Sequence, residues 1–219
     1  MANRRIGGKG GGSDKASGGL ATVGVAVVAL GALGAGTAGT TAGVTSSSVG
    51  ENVGGNVSVR KADSKKSARN GDSEAAWRRL GLRELKKRSK TDLECLTASF
   101  SQVQEFFTRT PCTSLDRMLF AVGDDQGNSA VISVVWVGFR TTRDVTAFKT
   151  VMDRHGSGDI RPLATPLLDL ADIQFTGLNY DSETNGKSIA IAETETATGS
   201  VPPDLLDTLA EVAAQLPKP

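Results

Sequence analysis

The sequence predicts an α+β fold: two ββα units forming a four-stranded, mainly antiparallel sheet with helices on one face, preceded by an N-terminal transmembrane helix and a basic stalk. Three observations predict it. The order strand, turn, strand, helix occurs twice, once after Leu115 and once after Ala171. Charge is divided along the chain: residues 1–92 carry sixteen Lys/Arg against seven Asp/Glu, and residues 93–219 carry nine against seventeen, so the formal net charge of +1 is a cancellation. Finally, no charged residue lies between Lys15 and Glu51.

That uncharged stretch reads as a lipid-facing segment. "GGLATVGVAVVALGALGAGTAGTTAGV", Gly18–Val44, is apolar from Leu20 to Ala35 except for Thr22 and glycines. A hydrocarbon core about 30 Å thick needs about 20 helical residues, so the span runs on into the weaker "GTAGTTAGV". A flexible linker would not hold "VGVAVVALGAL" in water. Small residues before Gly39 and Gly43, with Arg4 and Arg5 upstream, leave a cleavable signal as the alternative to an anchor. Gly39 and Gly43 also have helix-packing spacing, a weak signal in a stretch this rich in small residues.

Orientation follows from nearby charge. Arg4, Arg5, Lys9 and Lys15 flank the span on its N-terminal side, which favours that side inside. Twelve Lys/Arg between Arg60 and Lys90 argue the other way, but they begin near the limit at which the rule operates. The expected organisation is a basic cytoplasmic tail at 1–19, an anchor or signal peptide at 20–44, a basic stalk at 45–91 and an outward-facing domain at 92–219. A domain of roughly 125 residues is large enough to hold its own core.

The first half of the stalk is polar, glycine-punctuated and expected to be disordered. From Ser73, Ala76, Trp77, Leu80 and Leu85 with Glu84 four residues before Arg88 predict a short amphipathic helix despite Gly81. The stalk is either simply solvated or rests on anionic lipid or polymer. In the second case Trp77 sits at the interface and Arg78, Arg79, Lys86 and Lys87 make the contact. Nucleic acid is not an expected partner, because no binding motif is present and the following domain is acidic.

In the domain, "LDRMLFAVGDDQGNSAVISVVWVGFR" predicts a hairpin around "GDDQGN" with Val131, Val135, Val137 and Phe139 on one face. "TTRDVTAFKTVMDRHG" follows as a helix presenting Val145, Phe148, Val151 and Met152, with Gly156 as its C-cap. A second hairpin around "DSETNG" leads to a helix entered at Pro202 and Pro203, with Leu205, Leu209, Val212 and Leu216 in a stripe. Three coverings suit the second sheet face: water, the segment Leu93–Thr113, or a second copy of the chain in a homodimer.

Cys95 and Cys112 are the only cysteines. Outside the cytoplasm such a pair is normally oxidised, and the alternative is two buried free thiols. One helix from Cys95 to Arg109 would be about 21 Å long, too far for Cys112 to return to a disulfide distance of about 6 Å. A capping box, Ser101 with Gln104, instead predicts a helix at 102–109 that permits closure.

Catalytic signals are sparse. His155 is the only histidine, and Ser157 in the same tight turn cannot serve as its nucleophile. One His and two separated Cys make no metal set, and Asp124 and Asp125 lack the spacing of a calcium loop. Phosphate loops, nucleotide motifs and haem attachment sites are absent, so no cofactor is expected. Glu193 and Glu195 share strand parity with Ile189 and Ile191, so a regular strand would carry two carboxyls onto an apolar face as an acid/base pair.

"CLTASFSQVQEFFTRTPCTSLDR", "VVWVGF", "ADIQFTG" and "IAETETATG" together resemble uncharacterised membrane-anchored extracytoplasmic proteins of actinobacteria, over roughly residues 75–216. The resemblance implies an N-terminal anchor, an outside domain and pairing of Cys95 with Cys112, and no activity. The function expected is a single-pass cell-membrane protein whose outside domain binds a ligand, another envelope protein or an anionic polymer. A carboxylate-dependent hydrolase and a self-associating structural module are the alternatives.

Overall fold

The structure, a computed structural model, describes residues 53–92 and 94–219. The tail at 1–19, the apolar segment at 20–44 and the start of the stalk lie outside the described residues. Among the described residues no helix is long and apolar enough to cross a membrane.

Both ββα units form. The first is β2 (Ser114–Gly123), β3 (Ser129–Gly138) and α5 (Thr142–Met152); the second is β4 (Tyr180–Asn185), β5 (Ser188–Thr198) and α6 (Pro203–Ala213). Turn chemistry sets the hairpins. The Asp124 carboxylate accepts from the amides of Gln126 and Asn128, each at 2.9 Å, and Gly127 takes a left-handed φ of +87° that suits glycine. The inner strands β3 and β5 pair antiparallel from Ser129 to Gly138 and join the hairpins.

A further strand, β1 (Arg83–Asp92), adds to the edge of β2, so the sheet has five strands in the order β1-β2-β3-β5-β4. This corrects the expectation of a helical stripe through Leu85. The helix α2 (Ser73–Arg79) ends where Gly81 turns left-handed (φ +82°). There the Leu82 amide bonds the Trp77 carbonyl and the Gly81 amide the Arg78 carbonyl, both at 3.0 Å, a Schellman ending. Beyond it the free edge of β2 offers a ladder of hydrogen bonds that outweighs the weak strand propensity of Lys, Arg and Glu.

The helices cover both faces, which corrects the one-face expectation. β3 is buried on both parities, so neither side of the sheet can stay wet. On one face Phe120, Val122, Ile132, Val134, Trp136 and Ala192 pack under α2, α6 and α1 (Val53–Arg69). On the other, Leu115, Val135, Val137, Ile189 and Ile191 meet α5 and α4 (Ser101–Arg109), preceded by the single turn α3 (Cys95–Ala98). Leu119, Ala121 and Val131 on that same side lie under the irregular stretch that holds Leu163 and the 3₁₀ turn Thr165–Leu168. Among the described residues, helices or the irregular stretch cover both faces of the central strands, while the edge strand β1 stays exposed.

The stalk expected at 45–91 is, from residue 53, part of the folded unit. Small residues explain why no apolar stripe announced it: Ser64, Ser67 and Ala68 are buried, and the Ser64 hydroxyl donates to the Ala76 carbonyl at 2.8 Å. Lys61 and Lys65 both ion-pair with Glu211 on α6. Trp77 is fully buried edge-on to Phe120, with ring centroids 5.6 Å apart, so it belongs to the core and not to an interface.

Candidate functional site

The two cysteines form a disulfide with Cα atoms 6.3 Å apart. Closure works as helix length requires: α3 is one turn, Ser99 and Phe100 are extended, and α4 begins only at Ser101. The capping box does not form. Ser101 takes a left-handed φ of +58° as the first residue of the helix, and Phe100, which has no side-chain acceptor, occupies the cap position. The entry to α4 is satisfied instead by the loop after α5. The Phe100 amide donates to the Asp159 carbonyl (3.0 Å) and the Val103 amide to the Ser157 carbonyl (3.3 Å). That loop leaves α5 at Met152, four residues before the expected cap at Gly156, which lies in the turn instead.

Arg161 fastens the same loop to the disulfide segment. Its amide donates to Ala98 O (2.7 Å), its Nη1 to the carbonyls of Thr97 (3.0 Å) and Ser99 (2.8 Å), and its guanidinium lies over Phe100. Arg117 on β2 donates through Nη1 to the Arg161 carbonyl (2.7 Å) and through Nε to Asp92 (3.1 Å). Between them and the end of β1 lies an open polar depression of about 570 Å³, lined by Lys90, Asp92, Glu94, Thr97, Arg117 and Arg161 among others. Burial opposes ionisation of Asp92, but hydrogen bonds from Lys90 and Arg117 outweigh it and hold its carboxyl below the usual range.

Strand β1 continues this charge. Its alternation puts Lys86, Arg88 and Lys90 on the face shared with Arg117, opposite Ala121, Leu119 and Arg117 of β2. Lys87 points the other way and lies over the Phe120 ring, 5.4 Å from its centroid. Lys86 pairs with Asp169, whose carboxyl that hydrogen bond holds below its ordinary range. Arg88 has no carboxylate within ion-pair distance among the described residues and donates to the Lys87 carbonyl. Of the contact residues expected from sequence, Lys86 and Lys87 thus sit on the exposed strand. Arg78 is exposed on α2 beside Glu74, and Arg79 bonds Ser67, so the set does not form one surface.

A second cluster is buried. β5 stays in register through Thr196, with an irregularity only beyond it, so Glu193 continues the face of Ile189 and Ile191 and is only 8% exposed. Its carboxyl meets that of Asp159, a residue with no distinguishing signal in the sequence. Burial, then the facing negative charge of Asp159, push Glu193 up to about 8. Burial also raises Asp159, against bonds from the Ile160 amide and Glu193 that draw it down. The pair therefore shares a proton near neutrality. Glu195 holds different partners, the amide (2.9 Å) and hydroxyl of Thr176. A Cβ built on Gly177 would lie 3.8 Å from Glu193 Oε1 and 4.0 Å from His155 Nδ1, which places that histidine near the pair. The Ser157 hydroxyl is buried without a hydrogen-bond partner among the described residues. Neither depression described, this polar one nor a 30 Å³ pit at Leu82 and Val201, includes Glu193, Glu195 or His155. Among the described residues no group of His, Cys, Asp and Glu has metal-binding geometry.

Arg88, Arg117, Arg161 and Asp159 were missed for one reason: each acquires its role from a chain-distant neighbour. One sequence signal existed, the spacing Lys86-x-Arg88-x-Lys90, which has the period of a strand and not of a helix. No protein-family model matches this chain, and none of the curated proteins or solved structures compared with it is significantly similar.

Proposed function

We propose that this chain is a single-pass envelope protein whose folded unit lies outside the membrane and binds an anionic partner rather than catalysing a reaction. The observation that carries the reading is the Cys95–Cys112 disulfide, since such bonds persist in oxidising compartments and are rare in the cytosol. The basic edge strand supports the binding half: β1 is exposed along nearly its whole length and carries five Lys/Arg. The N-terminal apolar segment, expected to anchor the chain with its short tail inside, supplies the membrane half.

Thiol labelling of the native membrane fraction, before and after reduction, tests the compartment. Labelling of Cys95 and Cys112 only after reduction supports an outside domain. Free thiols throughout overturn it, because the twelve Lys/Arg of residues 60–90 would then act as the inside charge.

A further inference from the structure

We propose that the β1 face bearing Lys86, Arg88 and Lys90, together with Arg161 beyond its end, is a binding surface for a linear polyanion laid along the strand. The polymer carries phosphate or carboxylate groups. The inference rests on the binding reading above and names its surface and ligand class.

Three features support it. First, the cations form a line: alternate residues of a strand lie about 6.6–6.8 Å apart on one face, so three charges repeat at a spacing an extended polyanion can match. Second, the row is kept in place against repulsion. Lys90 stands directly opposite Arg117 in the ladder, a like-charged pair that disfavours pairing, and Asp92 holds both, Lys90 Nζ at 2.9 Å and Arg117 Nε at 3.1 Å. Third, the row runs through Lys90 into the open polar depression that Arg161 also lines. That guanidinium is fixed by two carbonyls and an aromatic ring and has no carboxylate within ion-pair distance among the described residues.

Lysine on an edge strand also guards against unwanted strand pairing, and that role accounts for charge on β1 in general. It does not account for the sorting, in which one parity reads Lys86, Arg88, Lys90 and the other Lys87, Ser89, Thr91. The linear layout also favours a polymer over a lipid surface. Asp92, Glu94 and Asp169 border the row, so the surface is selective for a ligand that tracks the cations and avoids the carboxylates.

The test titrates the full chain in a nonionic detergent with long-chain inorganic polyphosphate by calorimetry at several salt concentrations. Two triple variants are compared: K86E/R88E/K90E, and K66E/R143E/K187E, which changes the same charge at exposed positions elsewhere. The expected result is that the first variant loses at least about tenfold in affinity and lowers the salt slope by about 2, at roughly 0.7–0.9 for each phosphate it no longer neutralises. The second keeps affinity within about threefold, as expected for long-range charge alone. K86Q/R88Q/K90Q, which disturbs the strand less, repeats the loss if the glutamate variant melts early. Equal losses in both triples, no binding by the wild type, or binding to vesicles of anionic phospholipid but not to polyphosphate each overturns the proposal. The thiol-labelling result is independent: free thiols would remove the envelope reading while leaving this surface able to bind, and failure here would leave the compartment reading intact.

Discussion

The two faces of the sheet are closed by different means. Under α1, α2 and α6 the packing is regular helix on sheet, anchored by Trp77, Phe120 and Trp136, with the Trp136 indole donating to the Leu216 carbonyl at 2.8 Å. The opposite face is closed partly by α4 and α5 and partly by the irregular stretch from Asp153 to Asn179, with a disulfide and a buried carboxyl pair inside the closure. The first face maximises burial, whereas the second accepts strain and buried polarity. The residues capable of recognition or proton exchange collect on the second, where backbone leaves regular elements and side chains can be aimed.

The largest effect expected on the regular face is from Trp77→Ala, which should cost about 3–5 kcal/mol in urea denaturation. If the segment from residue 53 to 92 were a detached stalk, this change would leave the midpoint unmoved. On the irregular face, replacing both cysteines by serine should cost about 3 kcal/mol through loss of loop closure. Hydrogen exchange should localise the loosening to Cys95–Thr113, and equal loosening under α6 would erase the distinction between the faces.

A smaller local effect sharpens it. Gly158 has φ +95°, and a Cβ there would lie 2.3 Å from the Phe100 carbonyl oxygen, so Gly158→Ala should cost about 1–3 kcal/mol. Gly81→Ala at the end of α2 meets open space and suffers only its left-handed φ, about 1–2 kcal/mol, so thermal melts of the two should rank Gly158 as the more sensitive.

A pH slope tests the buried pair itself. Glu193 and Asp159 hold protons in the fold at pH values where the unfolded chain has released them, so the folded state binds more protons. The pair's contribution to stability is then full below about pH 4 and declines as pH rises through about 8, as Glu193 ionises. Glu193→Gln should flatten most of that decline in melts across the range; an unchanged slope would overturn its assignment to the Asp159–Glu193 pair.

How much was legible follows from the kind of signal each element carries. The hairpins and α5 and α6 announce themselves through period and turn residues, and Glu193 was placed on its apolar face by parity with Ile189 alone. The strand β1 was hidden because Lys, Arg and Glu favour helix locally, and α1 because serine and alanine form no stripe. Asp159 stands in "GSGDIRP", where nothing local marks a carboxyl destined for burial.

By itself, then, the sequence determined the two ββα units and the division of charge, because each depends on residues close together in the chain. Tertiary structure alone decided that β1 joins the sheet, that helices cover both faces, that Trp77 is core, and that Asp159 meets Glu193. Those outcomes depend on which free edge, bare face or buried charge a distant segment finds, and local propensity holds no record of that partner.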